Sequence, residues 1–384
     1  MTGPARRVDI AIVGAGMAGA SLAAELAGHA GVVMLEAEDA PGYHATGRSA
    51  AFWTETYGGP GVQPLTTASF ALLNAPPAEF SPSGFLRPRG ALHLADAGGF
   101  AALESFADRF AGSGVDLRPV DEPAIRACVP GLRGGPWRAL SEASTTDIDV
   151  AALHAAYLRA AKRGGADLLC AAPLRSARRE GGRWRLRAGE ARIEADLLVD
   201  AAGAWADPVA ELAGARPIGV TPYRRTMAQV RVAPGAADTL PLVLDAAGRF
   251  YFKPEAGGRL WLSPHDETPA PAGDAAPEEV DVATAIARLE AAVAWRVEHV
   301  ERAWAGLRSF APDRLPVYGF DADVPGFFRF VGQGGFGIQT APAAARIAAA
   351  LITGAAPHAS VAGIDVARYA PARFMPARTW ARGA

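Results

Sequence analysis

Glycines at 14, 16 and 19 in the run GAGMAG, with a glutamate at 36, form the first group of residues whose types and spacing can do chemistry. That chemistry is recognition of a dinucleotide. Gly14 permits a tight turn, Gly16 lets the backbone approach a pyrophosphate, and Gly19 lets the following helix pack closely on the strand. Met17 and Ala18 open that helix, whose free N–H groups and positive dipole end suit phosphate oxygens. Glu36, followed by Ala37, can accept hydrogen bonds from the ribose hydroxyls of an adenosine, and it repels a 2′-phosphate. A second glycine turn, GQGGFGIQT from Gly332 to Thr340, lies more than 300 positions later. A nicotinamide-only domain would keep its contacts in one contiguous half, so contacts at both ends of the chain favour the longer FAD. No histidine cluster and no HExxH occur among the seven histidines, so no catalytic metal is expected. No convincing nucleophile arrangement is present either.

The elements that must position these residues are readable in outline. An apolar strand Ile10–Val13, a helix with Leu22, Ala23, Leu26 and Ala27 on one face, and a strand Val32–Leu35 make a βαβ unit. Residues 41–82, rich in Gly, Pro and Thr, read as irregular. Ala91–Leu94 reads as a strand and Phe100–Phe110 as a helix. Asp149 is an N-cap for a helix carrying Leu153, Tyr157 and Ala160, stopped by Gly164 and Gly165. Strands follow at 168–170 and 184–186, and a buried parallel strand begins at Asp196. Alternating segments at 223–232, 249–253 and 260–262 imply an antiparallel sheet. The loop 264–277 reads as surface. A helix with Val282, Ile286, Leu289 and Val293 follows, then a strand 327–331 and a helix 342–352 ended by Gly354.

The 384 residues suffice for two domains, and 50% hydrophobic with 20% charged residues is ordinary for a globular protein. A net charge of −2 points to neither nucleic acid nor an anionic membrane. Cys128 and Cys170 stand far apart with no CxxC, so reduced thiols and a cytoplasmic setting are expected, and no run approaches a membrane span.

Three further segments carry a family resemblance. GYHATGRSAAFW, from Gly42 to Trp53, contains Gly47, Arg48, Ser49, Ala50 and Ala51. DAAGAWAD, from Asp200 to Asp207, contains Ala202, Gly203 and Trp205. AWAGLRSFAPDRLPVYG runs from Ala303 to Gly319. Together with the glycine turns they resemble the FAD-dependent D-amino-acid oxidase superfamily of the glycine oxidase type. With TDIDVAALHAAYLR and FYFKP, the chain is most similar to the D-arginine dehydrogenase branch. The resemblance implies an α/β fold with a Rossmann-like FAD domain (1–80, 147–215, 305–384) interleaved with an antiparallel-sheet substrate domain (81–146, 216–304). It also implies non-covalent FAD held by the segments above, by Pro173 and Leu174, and by Gly334, Gly335, Gly337, Ile338, Gln339 and Thr340.

Oxidising an amino acid requires a clamped carboxylate, a Cα–H aimed at flavin N5, and a neutral amine. A guanidinium clamps a carboxylate bidentately, and Arg308 matches the family's carboxylate-binding arginine. Only one of Arg224 and Arg225 can face a pocket from a strand, and the resemblance points to Arg225. Tyr251 and Tyr57 match pocket tyrosines. Thr54, Phe52, Gly90, Gly335, Ile338 and Gln339 would complete the substrate site. Lys253 shares a strand face with Tyr251, and a structural salt bridge is its expected role. Ser49 is expected to touch phosphate rather than act covalently.

The family pattern breaks at two positions. Gly90, flanked by Arg87 and Arg89, stands where the D-arginine branch has an acid, and Phe52 stands where it has a histidine. Losing an acid disfavours a cationic side chain, because an unpaired buried charge is costly. The expected reaction is therefore oxidation of a neutral or hydrophobic D-amino acid to imine, 2-oxo acid and ammonia, with acidic ones possible if Arg87 or Arg89 faces inward. Glu55 or Asp96 remains as an alternative source of pocket charge. The alternatives on this scaffold are a glycine- or sarcosine-type secondary amine oxidase and a non-catalytic flavin-fold binding protein. The sequence leaves the electron acceptor open between a quinone, a carrier protein and oxygen, with a dehydrogenase favoured by the resemblance.

Overall fold

A computed structural model describes residues 5–374. The strand Arg6–Val13 pairs in parallel with Val32–Leu35 on one side and with Ala191–Asp200 on the other. In register, Val13 stands opposite both Leu35 and Asp200, so three carboxyl ends meet at one edge. Ligands of open parallel sheets bind beyond that edge, and it is where Gly14, Glu36 and Ala201 lie. The long strand 191–200 changes neighbours midway. Its first half pairs with Arg183–Ala188, and Leu198–Asp200 pair with the strand Phe327–Val331, which brings the last third of the chain to the same edge. Eight strands make up this sheet.

Both faces of the parallel strands are covered, which explains their unbroken apolar runs. Ile12, Leu22, Leu26, Ala344 and Ile347 join one buried cluster, where helices Met17–Leu26 and Ala341–Thr353 pack. Val13, Trp184, Leu186 and Val209 share the opposite one. The helix Val150–Arg163 begins at Asp149, whose carboxylate accepts from the Ala152 N–H as the sequence predicts.

A nine-stranded sheet forms the second part. Its long pair is Thr221–Ala233 against Arg296–Phe310, antiparallel throughout. One face is packed by helices Glu122–Cys128 and Glu279–Ala292 around Phe252, Leu260 and Leu289. The other face presents Met227, Leu244 and Tyr251 beside Phe52 and Ala50. A three-stranded sheet of Phe52–Trp53, Leu86–Pro88 and Thr146–Ile148 lies where the chain passes between the two parts.

The structure corrects several expectations. Residues 41–82 are not wholly irregular, because Gln63–Asn74 is a helix. Its buried face is Leu65, Thr66, Ser69 and Leu73, and Ser69 accepts from the Ala343 N–H. Hydroxyls on the buried face hide the apolar period. The strand 296–310 belongs whole to the nine-stranded sheet, so a boundary at 305 falls inside it. The 264–277 loop is not simply surface, since Gly273 and Ala275 line the central cavity.

Candidate active site

A cavity of about 490 Å³ runs from the edge of the parallel strands to the open face of the nine-stranded sheet. Gly14 takes φ +97°, and a Cβ there would stand 2.6 Å from the Ala201 carbonyl oxygen, so only glycine fits the turn. Glu36 accepts from the Ala15 N–H at 2.9 Å and the Glu38 N–H at 3.1 Å, which leaves lone pairs for a ribose. Two residues absent from the sequence reading brace this loop. Thr46 Oγ1 accepts from the Met17 N–H at 2.9 Å, and His154 Nε2 donates to the Ala15 carbonyl at 2.9 Å. Burial lowers the His154 pKa, consistent with a neutral ring donating through Nε2.

Gly16, Met17, Ala18, Ala37, Ser49, Ala50, Ala51, Pro173, Leu174, Ala202, Gly203 and Trp205 line the cavity as the resemblance implies. So do Gly334, Gly335, Gly337 and Ile338. Arg48 lines it too, but its guanidinium is spent across the cavity. It donates to the carbonyls of Ala275 and Ala305 at 2.8 and 3.1 Å and pairs with Asp274. Tyr43 Oη donates to the same carboxylate at 3.1 Å. The loop 273–275 is thus strapped over the middle of the groove. Ser49 Oγ accepts from the Ala51 N–H at 3.0 Å, closing a local turn.

At the far end the two long strands supply a pair of arginines. Arg225 stands opposite Gly306, and Tyr223 opposite Arg308, so Arg225 and Arg308 are diagonal neighbours on one face. Arg224 faces away, bound to Glu278 and Asp281. Arg225 is 4% exposed, donates to the Asp266 carbonyl at 2.6 Å and to Glu267 at 3.2 Å, and leaves Nη1 buried with no partner. Arg308 makes no hydrogen bond or ion pair with any described residue. Its guanidinium lies 5.5 Å from the centre of the Tyr57 ring. Burial and the Arg308 charge push the Arg225 pKa down. Burial opposes the Arg308 charge as well, but Tyr57, Tyr251, Glu267 and Asp266 outweigh it and hold its pKa up. Two cations facing one cavity with unspent donors make a site for a carboxylate.

Tyr251 also lines this end, its hydroxyl donating to Met227 Sδ at 3.0 Å. Phe52 packs edge-on to Tyr57 and Tyr251, with centroids 5.3 and 6.0 Å apart. A Cβ on Gly335 would lie 2.5 Å from Tyr57 Oη and 3.0 Å from Arg308 Nε, so a side chain there would displace both groups.

Other expected residues lie behind the wall rather than on it. Gly19, Gly47, Thr340 and Tyr57 are absent from the lining, although the Tyr57 ring lies against the Arg308 guanidinium that is part of it. Thr54 and Gln339 are fully or nearly buried and bind each other and the Tyr57 segment. Gly90 is a loop residue at φ +72° whose N–H donates to the Thr145 carbonyl, away from the cavity. Neither flanking arginine turns inward. Arg87 is exposed, and Arg89 pairs with Asp147 at 2.6 Å. Lys253 donates to Asp147 at 3.0 Å and to the Ala51 carbonyl, the structural salt bridge expected of it.

The family model described as FAD dependent oxidoreductase matches residues 9–351. The chain belongs to that family. Among curated relatives, this FAD-dependent oxidoreductase is 31% identical over 267 residues to glycine oxidase of Pseudomonas aeruginosa, spanning 66% of this chain and 68% of that one. It is 26% identical over 262 residues to hydrogen cyanide synthase subunit HcnC of the same organism, covering 68% of this chain but only 60% of that relative. Among solved structures, glycine oxidase from Geobacillus kaustophilus superposes with a TM-score of 0.83 at 23% identity, over 97% of this chain and 100% of that one, a likeness of fold. The cofactor is FAD. The Gly14 turn, Glu36, and the cavity that joins both glycine turns fit it in this chain. No helix among the described residues is long and apolar enough to cross a membrane.

Proposed function

We propose that this oxidoreductase oxidises the Cα–N bond of a D-amino acid with an uncharged side chain, in the manner of the D-arginine dehydrogenase branch but with a different preference. In this reading the part built on the eight-stranded sheet carries FAD, and the nine-stranded sheet supplies the substrate face. FAD, when bound, takes up the hydride equivalent from Cα. The observation that carries the reading is the unpartnered Arg308 guanidinium facing the cavity beside the orphaned Nη1 of Arg225. In this reading Arg308 clamps the substrate carboxylate and Arg225 and Tyr251 support it. Tyr57 closes the site, and Phe52 and Met227 meet the side chain. The acids lining the cavity are Glu36 and Glu38, beside the nucleotide loop. Two guanidiniums beside the substrate amine disfavour an ammonium there, because the Glu267 carboxylate is already shared by Arg225 and Arg314 and the Asp266 carboxylate by the Thr226 N–H and hydroxyl, and this promotes the neutral amine that hydride loss requires.

The same accounting supports an uncharged side chain. Each nearby acid is already engaged. Asp266 is held by the Thr226 N–H and hydroxyl, Glu267 by Arg225 and Arg314, Glu55 accepts from Thr67 and Ser144, Asp96 pairs with Arg249, and Asp147 is shared by Arg89 and Lys253. A guanidinium or ammonium side chain would find no partner. Kinetics across a panel of D-amino acids test this. D-Methionine, D-leucine or D-phenylalanine should be preferred, and D-arginine as best substrate refutes it. A second reading, oxidation of glycine or a secondary amine, is favoured by the 31% identity to a glycine oxidase. Sarcosine and glycine belong in the same panel. Anaerobic reduction followed by air separates an oxidase, which reoxidises fast, from the dehydrogenase proposed here, which passes electrons to a quinone or carrier protein.

A further inference from the structure

Glu142 is fully buried, lies outside the cavity wall, and has no part in the chemistry above. Its Oε1 accepts from Thr54 Oγ1 at 2.6 Å, the Glu55 N–H at 2.8 Å and the Thr56 N–H at 3.3 Å. Its Oε2 accepts from Thr56 Oγ1 at 2.7 Å and meets His93 Nε2 at 2.9 Å. Burying a carboxylate is costly unless donors surround it, and here most donors come from three consecutive residues. The next residue is Tyr57. Burial opposes the charge, yet His93 and the two threonine hydroxyls outweigh it and hold the Glu142 pKa below the usual value, so the acceptor stays ionised.

The same turn is gripped from its other side. Gln339 Oε1 accepts from the Thr54 N–H at 3.2 Å, while its Nε2 donates to the Tyr57 carbonyl at 3.1 Å and to Thr66 Oγ1 at 2.9 Å. Gln339 belongs to the glycine turn whose Gly335 touches Tyr57 and Arg308. We propose that Glu142 is a positioning residue of the active site, fixing the Thr54–Thr56 turn so that the Tyr57 ring covers the Arg308 guanidinium. The proposal rests on the reading of this cavity as the place of an amino-acid carboxylate. It explains why so many donors converge on one carboxylate remote from the reacting atoms. A brace for the sheet alone would not need to engage the turn that ends in Tyr57.

Glu142→Gln keeps the volume but sets an amide N–H₂ against donors at Thr56 and His93. The holoenzyme variant should retain FAD and show a KM for the amino acid raised about fivefold or more, an interaction within the range of coupled neighbours. The decisive comparison places the same change in a Tyr57→Ala background, where KM should move by less than about twofold because the residue acted upon is gone. An equal fold-change in both backgrounds overturns the proposal, and so does an unchanged KM accompanied by a lower melting temperature. Should Glu142→Gln not fold, Thr56→Val removes a single donor and is read by the same pair of backgrounds. Wild-type holoenzyme that turns over no amino acid overturns the underlying reading of the site instead.

Discussion

Replacing Arg308 separates binding of substrate from stability of the fold. Arg308 makes no hydrogen bond or ion pair among the described residues, and its guanidinium lies against the Tyr57 ring at 5.5 Å. Arg308→Ala therefore removes about 2 kcal/mol of desolvated cation–π attraction. It also relieves the repulsion that depresses the Arg225 pKa. Because Tyr57, Tyr251, Glu267 and Asp266 favour the Arg308 charge on balance, the melting temperature should fall, but only by a few degrees. Activity should fall much further. Truncating one partner of a desolvated charge pair costs about 2–5 kcal/mol, so kcat/KM for a D-amino acid should fall at least about 30-fold. Arg308→Lys keeps the charge but loses the planar fork, and should recover only part of the loss. The assay is steady-state reduction of an artificial dye acceptor, with FAD content and melting temperature measured on the same samples. A kcat/KM within about threefold of wild type would refute the clamp, because that margin is smaller than one ordinary hydrogen bond. A large loss of stability would refute the claim that the guanidinium is unspent.

Four further outcomes follow from particular contacts. Arg48→Ala opens the strap at Asp274 and Ala275, so FAD should leave about tenfold faster on dilution, read by the fluorescence of free flavin. Asp274→Asn should shift release in the same direction, and unchanged rates in both refute the strap. Asp200 is buried with its pKa pushed up to about 8, by burial opposed only in part by the Ala202 N–H and Arg329. Its folded pKa exceeds the unfolded one, so its contribution is present at low pH and lost as pH rises toward about 8. Asp200→Asn should accordingly lose less melting temperature than wild type between about pH 6 and 9. His265, at φ +58°, is held neutral with its pKa pushed down to about 2 by burial and by Arg225, Arg308 and Arg288. That contribution is present above about pH 6.5 and lost on acidification. His265→Asn, which tolerates the left-handed backbone, should lose less melting temperature between about pH 7.5 and 5.

The sequence made the nucleotide edge legible because each of its parts is local. Glycines 14, 16 and 19, the two short strands and Glu36 lie within one stretch, and their roles depend on backbone geometry. Arg308 and Arg225 were legible through motif resemblance, and the register of strands 221–233 and 296–310 explains why they share a face. Partnerships across long separations were not legible. Arg48 has phosphate-loop context in sequence, yet its Nη donors go to residues more than 200 positions away. Glu142 lies in no quoted motif, and Thr46 and His154 sit inside motif segments that give no sign of their roles, so only the fold brings all three to the turns they brace. Gly90 shows the opposite error. Its place in the motif suggests a pocket wall, but the loop conformation at φ +72° turns it from the cavity. The helix Gln63–Asn74 was hidden because threonine and serine occupy its buried face and spend their hydroxyls on backbone and side chain.

The central claim is that Arg308, Arg225, Tyr57 and Tyr251 present an amino acid to the cofactor in the D configuration. It is tested most directly by mixing holoenzyme without oxygen with the two enantiomers of methionine in turn and following the visible flavin band. Rapid bleaching by D-methionine, none by L-methionine, and loss of that bleaching in Arg308→Ala are the predicted results. Bleaching by L-methionine, or by glycine and sarcosine alone, contradicts the claim.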